Sequence, residues 1–243
     1  MAKSVLITGG SRGIGAATAM YFAKKGYRVA ISYNKSSAAA KALQESLVSA
    51  GCDAIALPCD VSSPMEVEAL VKQTAYRFGG IDVLVNNAGI AEQKLITHIT
   101  NEDWNNMLGT NLSGVFYACR SVAPIMINAK KGSIVNVSSI WGITGAAMEV
   151  HYSAAKAGVI GLTKALAKEL GPSNVRVNCV APGVIDTEMN SNLDLSVLSE
   201  LADQTPLCRI GTPEEIAKSV FYLADQADFI TGQILSPNGG IVI

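Results

Sequence analysis

The 243-residue sequence is short of charge. Only 16% of its residues are Asp, Glu, Lys or Arg, and 19 basic against 20 acidic residues leave a formal charge of −1. Binding nucleic acid requires a basic face that neutralises phosphates, so that class is excluded. Metal-ligating residues are equally scarce. Histidine occurs twice, at His98 and His151, and the five cysteines (Cys52, Cys59, Cys119, Cys179, Cys208) are scattered with no CxxC pair. An odd, dispersed set is neither a disulfide framework nor a zinc site, and no metal is expected. The thiols read as apolar side chains in a reducing compartment. The longest stretch without charge, Gly132 to Met148, is broken by Ser, Asn and Gly and is too polar to cross a bilayer. The opening Met-Ala-Lys runs directly into a strand-like segment rather than a signal peptide. A soluble cytoplasmic protein is expected.

Apolar residues, by contrast, are abundant: 49% of the chain, with 22 glycines against 8 prolines. High apolar content with so little charge excludes a disordered protein, and a chain of this length buries roughly 70–75% of its unfolded surface, which makes staples unnecessary. Short β-branched runs alternate with helical patterns from end to end. The strand-like runs are Ser4–Thr8, Arg28–Ser32, Ala54–Leu57, Val83–Val85, Ser133–Val137, Val175–Val180 and Gln233–Leu235. Most are apolar throughout, as strands covered on both faces must be. Helical patterns lie between them, including Ser36–Ala50 and Pro64–Phe78. Ser63-Pro64 with Glu66, and Thr212-Pro213 with Glu215, are start signals. Such alternation predicts an α/β fold: one Rossmann-type, doubly wound parallel sheet of about seven strands with helices on both faces. No repeat or linker divides the chain, so residues 1–243 are read as a single domain. Periodicity fades after Pro182-Gly183, making residues 186–211 a candidate lid.

Thr8-Gly9-Gly10-Ser11-Arg12-Gly13-Ile14-Gly15 joins the first strand to a helix pattern ending near Lys25. Glycines there permit a tight turn and close approach to a diphosphate, for which a helix N-terminus supplies donors. The same residues fit a Gly-x-Ser-x-Gly nucleophile elbow around Ser11. A hydrolase would also need a histidine after a late strand, and neither His98 nor His151 is so placed. Charge then selects the dinucleotide. An NAD site puts an acid at the end of the second strand. Here that strand runs into Tyr33-Asn34-Lys35, and the next acid is Glu45. Arg12 and Lys35 suit a 2′-phosphate, so NADP(H) is expected.

Tyr152 and Lys156 stand four apart in a helical run, hence on one face. An ammonium beside a phenol favours the phenolate and is expected to lower the tyrosine pKa from about 10. Such a tyrosine exchanges a proton with a carbinol oxygen. Ser138 and Ser139 close the strand at the edge where open α/β sheets bind ligands.

The glycine loop, Asn86-Asn87-Ala88-Gly89, Asn111, Ser139, Tyr152 with Lys156, Pro182-Gly183 and Pro237-Asn238-Gly239-Gly240 occur in an order that resembles the short-chain dehydrogenase/reductase family. The resemblance covers essentially the whole chain, and within the family it is similar to the bacterial β-ketoacyl-acyl-carrier-protein reductases. It implies an NADPH-dependent carbonyl reductase of fatty acid biosynthesis. Tyr152 would be the general acid and Lys156 the residue holding the nicotinamide ribose. Ser139 would position the carbonyl, and Asn111 would keep a water between Lys156 and solvent. The implied cofactor set is Gly9, Ser11, Arg12, Gly13, Ile14, Gly15, Asn34, Lys35, Asp60, Val61, Asn86, Ala88, Gly89, Tyr152, Lys156, Pro182, Gly183, Ile185 and Thr187. Asp60 and Val61 would meet the adenine, and Ile185 the nicotinamide amide. A homotetramer is implied, with the apolar tail Gly240–Ile243 buried in a neighbour or against its own sheet.

Other features bear on the substrate. Neighbours in a helix point about 100° apart, so His151 reads as edging the pocket or an interface rather than carrying a proton. Trp141, Ile143, Met148 and Val184 would flank an acyl or alicyclic ketone. Lys130-Lys131 falls where the resembling reductases carry a basic pair for an acidic carrier. No cation follows at Gly171-Pro172-Ser173-Asn174, however, and the lid holds Asp186, Glu188, Asp194, Glu200 and Asp203 with no Lys or Arg up to Cys208. That departure counts against an acyl carrier protein as partner. A free ketone, a CoA thioester, a hydroxysteroid, or a non-catalytic NADP(H)-binding regulator are the alternatives.

Overall fold

The computed structural model describes residues 2–188 and 195–243. Strand β1 (Ser4–Thr8) leads through the glycine loop into α1 (Gly13–Lys24), followed by β2 (Arg28–Tyr33), α2 (Ser37–Ser49), β3 (Ala54–Pro58), α3 (Pro64–Phe78) and β4 (Val83–Asn86). Then come α4 (Asn101–Leu108), a single π-turn (Gly109–Ser113), α5 (Gly114–Ala129), β5 (Gly132–Val137), α6 (Trp141–Thr144), α7 (Val150–Leu170) and β6 (Val175–Val180). The chain closes with α8 (Leu195–Gln204), α9 (Pro213–Phe221), a second π-turn (Tyr222–Gln226) and β7 (Ile234–Leu235). The predicted start signals form as caps. Ser63 accepts from Glu66 N ahead of Pro64, and Thr212 and Glu215 make a reciprocal capping box.

The seven strands are all parallel, in the order β3-β2-β1-β4-β5-β6-β7. Alternate side chains go to opposite faces. Val5, Ile7, Val83, Val85, Val135 and Val137 pack with Phe22, Val220 and Phe221 of α1 and α9. Leu6, Leu84 and Ile134 pack with Val67, Phe78, Val122 and Val159 of α3, α5 and α7. Phe22 anchors the first layer, with ring centroids 4.9 Å from Tyr27 and 5.1 Å from Phe221 in edge-to-face arrangement. Strand order reverses between β1 and β4, which opens a crevice at the carboxyl edge. Register aligns Thr8 with Asn86 and Asn86 with Asn136, so the glycine loop, the Asn86–Gly89 turn and Ser138-Ser139 all leave the sheet at one level.

Two expectations need correction. The segment 186–211 is not irregular throughout, because α8 occupies part of it; residues 189–194, including Asp194, lie outside the described residues. The tail is only half-buried through Val242, and Ile243 is fully exposed on the single chain, so its end does not pack on its own sheet. Among the described residues no helix is long and apolar enough to cross a membrane.

Candidate active site

The glycine loop is held from below. Asn87 donates through Nδ2 to Thr8 O (3.1 Å) and Gly9 O (2.9 Å), while Thr8 Oγ1 accepts from the backbone N–H groups of Asn87 and Ala88. Gly9 N donates to Ser32 Oγ at 3.3 Å. A Cβ on Gly15 would lie 2.2 Å from Gly9 O and 2.6 Å from Asn87 Nδ2, so only glycine allows this fold-back. Arg12 precedes α1 without a side-chain cap, which leaves the first-turn N–H groups of α1 uncapped by its side chain. Backbone cradle and helix dipole together fit a dinucleotide diphosphate. Thr187 stands over Gly13, its Cγ2 3.4 Å from where a Cβ there would be.

At the adenosine end, Asn34 hydrogen-bonds Asp60. Asp60 also accepts from Ser62 and feels Lys35; bonds from Ser62 above all hold its carboxyl below the usual range. Arg12 is engaged as well, donating to Glu188 at 2.9 Å across the mouth of the loop. Ile185 pairs with Gly211, and Gly183 N donates to Pro237 O, which ties Pro182–Ile185 to the turn after β7.

Three residues expected to meet a cofactor or hold water turn their side chains elsewhere. Asn86 donates to Asn136 Oδ1 at 2.8 Å and Asn136 to Thr163 Oγ1 at 2.9 Å, a network inside the second layer. Val61 is buried, its side chain packed against Gly114. Asn111, in the π-turn, is fully buried; it clamps Ile90 by accepting from Ile90 N (2.9 Å) and donating to Ile90 O (2.8 Å). Its amide thus fixes the turn that carries Gly89. A Cβ on Gly89 would lie 2.8 Å from Asn111 Oδ1 and 3.5 Å from Lys156 Nζ, so this glycine keeps the lysine end of the crevice open.

Ser139, Tyr152 and Lys156 come together from the end of β5 and the start of α7. Ser139 hydrogen-bonds Tyr152, and Lys156 Nζ lies 5.6 Å from the Tyr152 ring centroid. Lys156 Nζ donates to Val137 O at 3.0 Å, and Ser138 Oγ donates to Lys156 O at 2.8 Å, which fixes α7 against β5. The electrostatics run opposite to expectation. Burial pushes the Tyr152 phenol up to about 12, outweighing the Ser139 bond, with Glu149 adding to the rise. Burial likewise pushes Lys156 down to about 8. Spacing placed the two side chains together, but burial, not the ammonium, sets the phenol. A phenol that holds its proton is suited to donate it. His151 is completely buried, with Nε2 3.5 Å from Glu92. Sequence reasoning gave no role to Asn87, Thr8 or Ser32, although Asn87 and Thr8 both stood inside motifs already singled out.

A parallel sheet whose strand order reverses beside a glycine cradle, with a buried tyrosine and lysine one turn apart near it, defines a nicotinamide-dependent oxidoreductase. The chain belongs to the short-chain dehydrogenase/reductase family: the family model described as "Enoyl-(Acyl carrier protein) reductase" matches residues 9–242. It is similar to "3-oxoacyl-[acyl-carrier-protein] reductase FabG" of Staphylococcus aureus, 41% identical over 242 residues that cover 99% of this chain and 98% of that protein. The FabG of Chlamydia muridarum is 43% identical over 98% of this chain and 97% of its own length. A 3-oxoacyl-[acyl-carrier-protein] reductase of Synechocystis is 43% identical over 100% and 98%.

Proposed function

We propose that this protein is an NADPH-dependent reductase of 3-oxoacyl thioesters, folded as one domain and working in the cytoplasm as a homotetramer. The observation that carries the reading is the joining of Ser139, Tyr152 and Lys156 at the mouth of the glycine cradle. The bound nicotinamide would supply a hydride to the ketone carbon. Tyr152 gives its phenolic proton to the ketone oxygen, and the Ser139 hydroxyl holds that oxygen during transfer. Lys156 stabilises the phenolate left behind and orients the ribose. Asn111 keeps the Gly89 turn clear of Lys156, so protons reach the pair from solvent. The 2′-phosphate preference is supported by Lys35 and Arg12 together with the missing acid after β2. The exposed Ile243, Phe229 and Leu235 favour an oligomer that covers them.

A second reading concerns the thioester's carrier. Of the basic pair, Lys131 is already bound to Asp82 at 2.9 Å, and Asp186, Glu188, Glu200 and Asp203 are exposed on the lid segment. These charges favour a CoA thioester or free ketone over an acidic carrier protein. NADPH oxidation followed with acetoacetyl-carrier protein, acetoacetyl-CoA, a diketone and a ketosteroid decides both points. Turnover of the thioesters with NADPH over NADH is expected. Binding of NADPH with no turnover of any ketone would instead mark a regulator.

A further inference from the structure

Three consecutive residues at the end of β5 each take one group of the Tyr152 and Lys156 pair. Val137 O accepts from Lys156 Nζ at 3.0 Å, Ser138 Oγ donates to Lys156 O at 2.8 Å, and Ser139 hydrogen-bonds Tyr152. The short helix α6 then reaches back onto them. Trp141 N donates to Ser139 Oγ at 3.2 Å and Gly142 N to Ser139 O at 3.0 Å. A backbone N–H thus fills one acceptor position of the Ser139 hydroxyl, whose own proton remains for donation. Gly142 lies closer still to the lysine. A Cβ there would stand 2.7 Å from Lys156 C, 2.8 Å from Lys156 O and 2.7 Å from Ser138 Oγ. Its φ is not positive, so the demand at this glycine is for space and not for conformation. Two of those three atoms are backbone of α7, a 21-residue helix packed on β6, whereas α6 has 4 residues. An added side chain therefore displaces α6.

We propose that Gly142 and Ser138 are positioning residues: Gly142 lets α6 close on the Lys156 carbonyl that Ser138 holds, and this closure both orients the Ser139 hydroxyl and seals Lys156 from water. Ser138 acts on a backbone carbonyl and Gly142 has no side chain, so both work through Lys156 and Ser139. Displacing α6 would draw Trp141 N away from Ser139 Oγ and uncover the Lys156 carbonyl in one movement. A single small residue thereby sets both halves of the site.

This inference rests on the reductase reading, so its test has one arm that does not. In the first arm, kcat and KM for acetoacetyl-CoA are measured from pH 6 to 10 at saturating NADPH, for wild type, Gly142→Ala, Ser138→Ala and Gly161→Ala. Ordinary carbon contact requires the 2.7 Å approach to open by about 1 Å, and misplacement on that scale costs on the order of 10²-fold. Gly142→Ala should lose about that much kcat. Its alkaline limb should also move. In the sealed site Lys156 loses its proton near pH 8, with the neutral Tyr152 phenol and the neutral Cys179 thiol of β6 as its titratable neighbours. Water reaching the ammonium raises that value, so the limb should shift to higher pH. Ser138→Ala removes one hydrogen bond but leaves α6 in place, and should cost about two- to ten-fold in kcat with the limb unmoved. Gly161 lies on the same helix, where a Cβ meets nothing within 4 Å, so Gly161→Ala should match wild type. An unmoved limb in Gly142→Ala, or a wild-type kcat in Ser138→Ala, overturns the proposal. In the second arm, amide hydrogen exchange of α6 is followed with neither cofactor nor ketone present. Exchange in Gly142→Ala should be at least about five-fold faster across α6 and unchanged in the last two turns of α7. Equal exchange across α6 overturns the closure even if no ketone is reduced, whereas faster exchange with no turnover by wild type counts against the reductase reading alone.

Discussion

Two clusters of buried polar residues sit on β5 and α7 within a few residues of each other, and they behave in opposite ways. In the first, Asn86, Asn136 and Thr163 hand hydrogen bonds along a row, each donor finding an acceptor. In the second, two to three turns earlier on α7, Tyr152 and Lys156 are also buried, and burial moves each towards its neutral form. The first cluster joins β4, β5 and α7, and the thiol bonded to it, Cys119, is pushed up to about 12 by burial and stays neutral. The second keeps titratable groups out of water at a cost to the fold, and that cost prepares them for proton transfer. Elements and depth being the same, the difference lies in the residue types.

Substitutions can separate the clusters. The largest effect should come from Tyr152→Phe, with kcat lower by about 10²–10⁴-fold and an unchanged melting temperature. Retention of more than a tenth of the wild-type rate would show that the proton comes from elsewhere. Lys156→Met should also abolish turnover while stabilising the protein. The folded lysine loses its proton near pH 8 and the unfolded one near 10.5. The folded state therefore binds fewer protons between those values, stability rises with pH across that window, and the penalty is complete below it. Its removal is worth up to about 3 kcal/mol at pH 7, measurable by denaturant unfolding; a less stable Lys156→Met would contradict the comparison. Asn136→Ala, in contrast, should lose about 1–3 kcal/mol by taking one buried acceptor from Asn86 and one donor from Thr163, with kcat changed little. The smallest effect is on pH dependence: kcat/KM for reduction should fall above about pH 8 as Lys156 loses its proton. A profile flat to pH 10 would mean that Lys156 acts uncharged.

Much of this was legible in the sequence. The strands announce themselves because covered strands are apolar on both sides, and Ser63-Pro64 and Thr212-Pro213 mark helix starts by chemistry that needs no tertiary context. The Tyr152 and Lys156 face follows from helical spacing alone. What spacing cannot carry is depth. The rise of the Tyr152 pKa depends on how completely β5, α6 and the Gly89 turn shut out water, which no local pattern states. For the same reason His151 looked like a rim residue and proved to be sealed in. The inward turn of Asn86 depends on Asn136 and Thr163 arriving from elements far along the chain. The π-turn at Asn111 has no compositional signature, and its clamp on Ile90 is visible only in three dimensions.

The turns that enter β2 through β6 share a feature on the edge opposite the crevice. Gly26, Gly51, Gly79, Gly80, Lys130 and Asn174, one to four residues before each strand, all adopt positive φ. Each helix end turns through a positive-φ residue and the next strand follows within a few residues, so the amino edge is trimmed to a set of short turns away from the crevice. That edge is therefore where the molecule tolerates being rewritten. Peptide tags, fluorophores or a new pair of termini placed beside Gly51 or Gly80 would leave the Thr8, Asn86 and Asn136 row in register. The crevice could then be watched from a handle on the far side of the sheet.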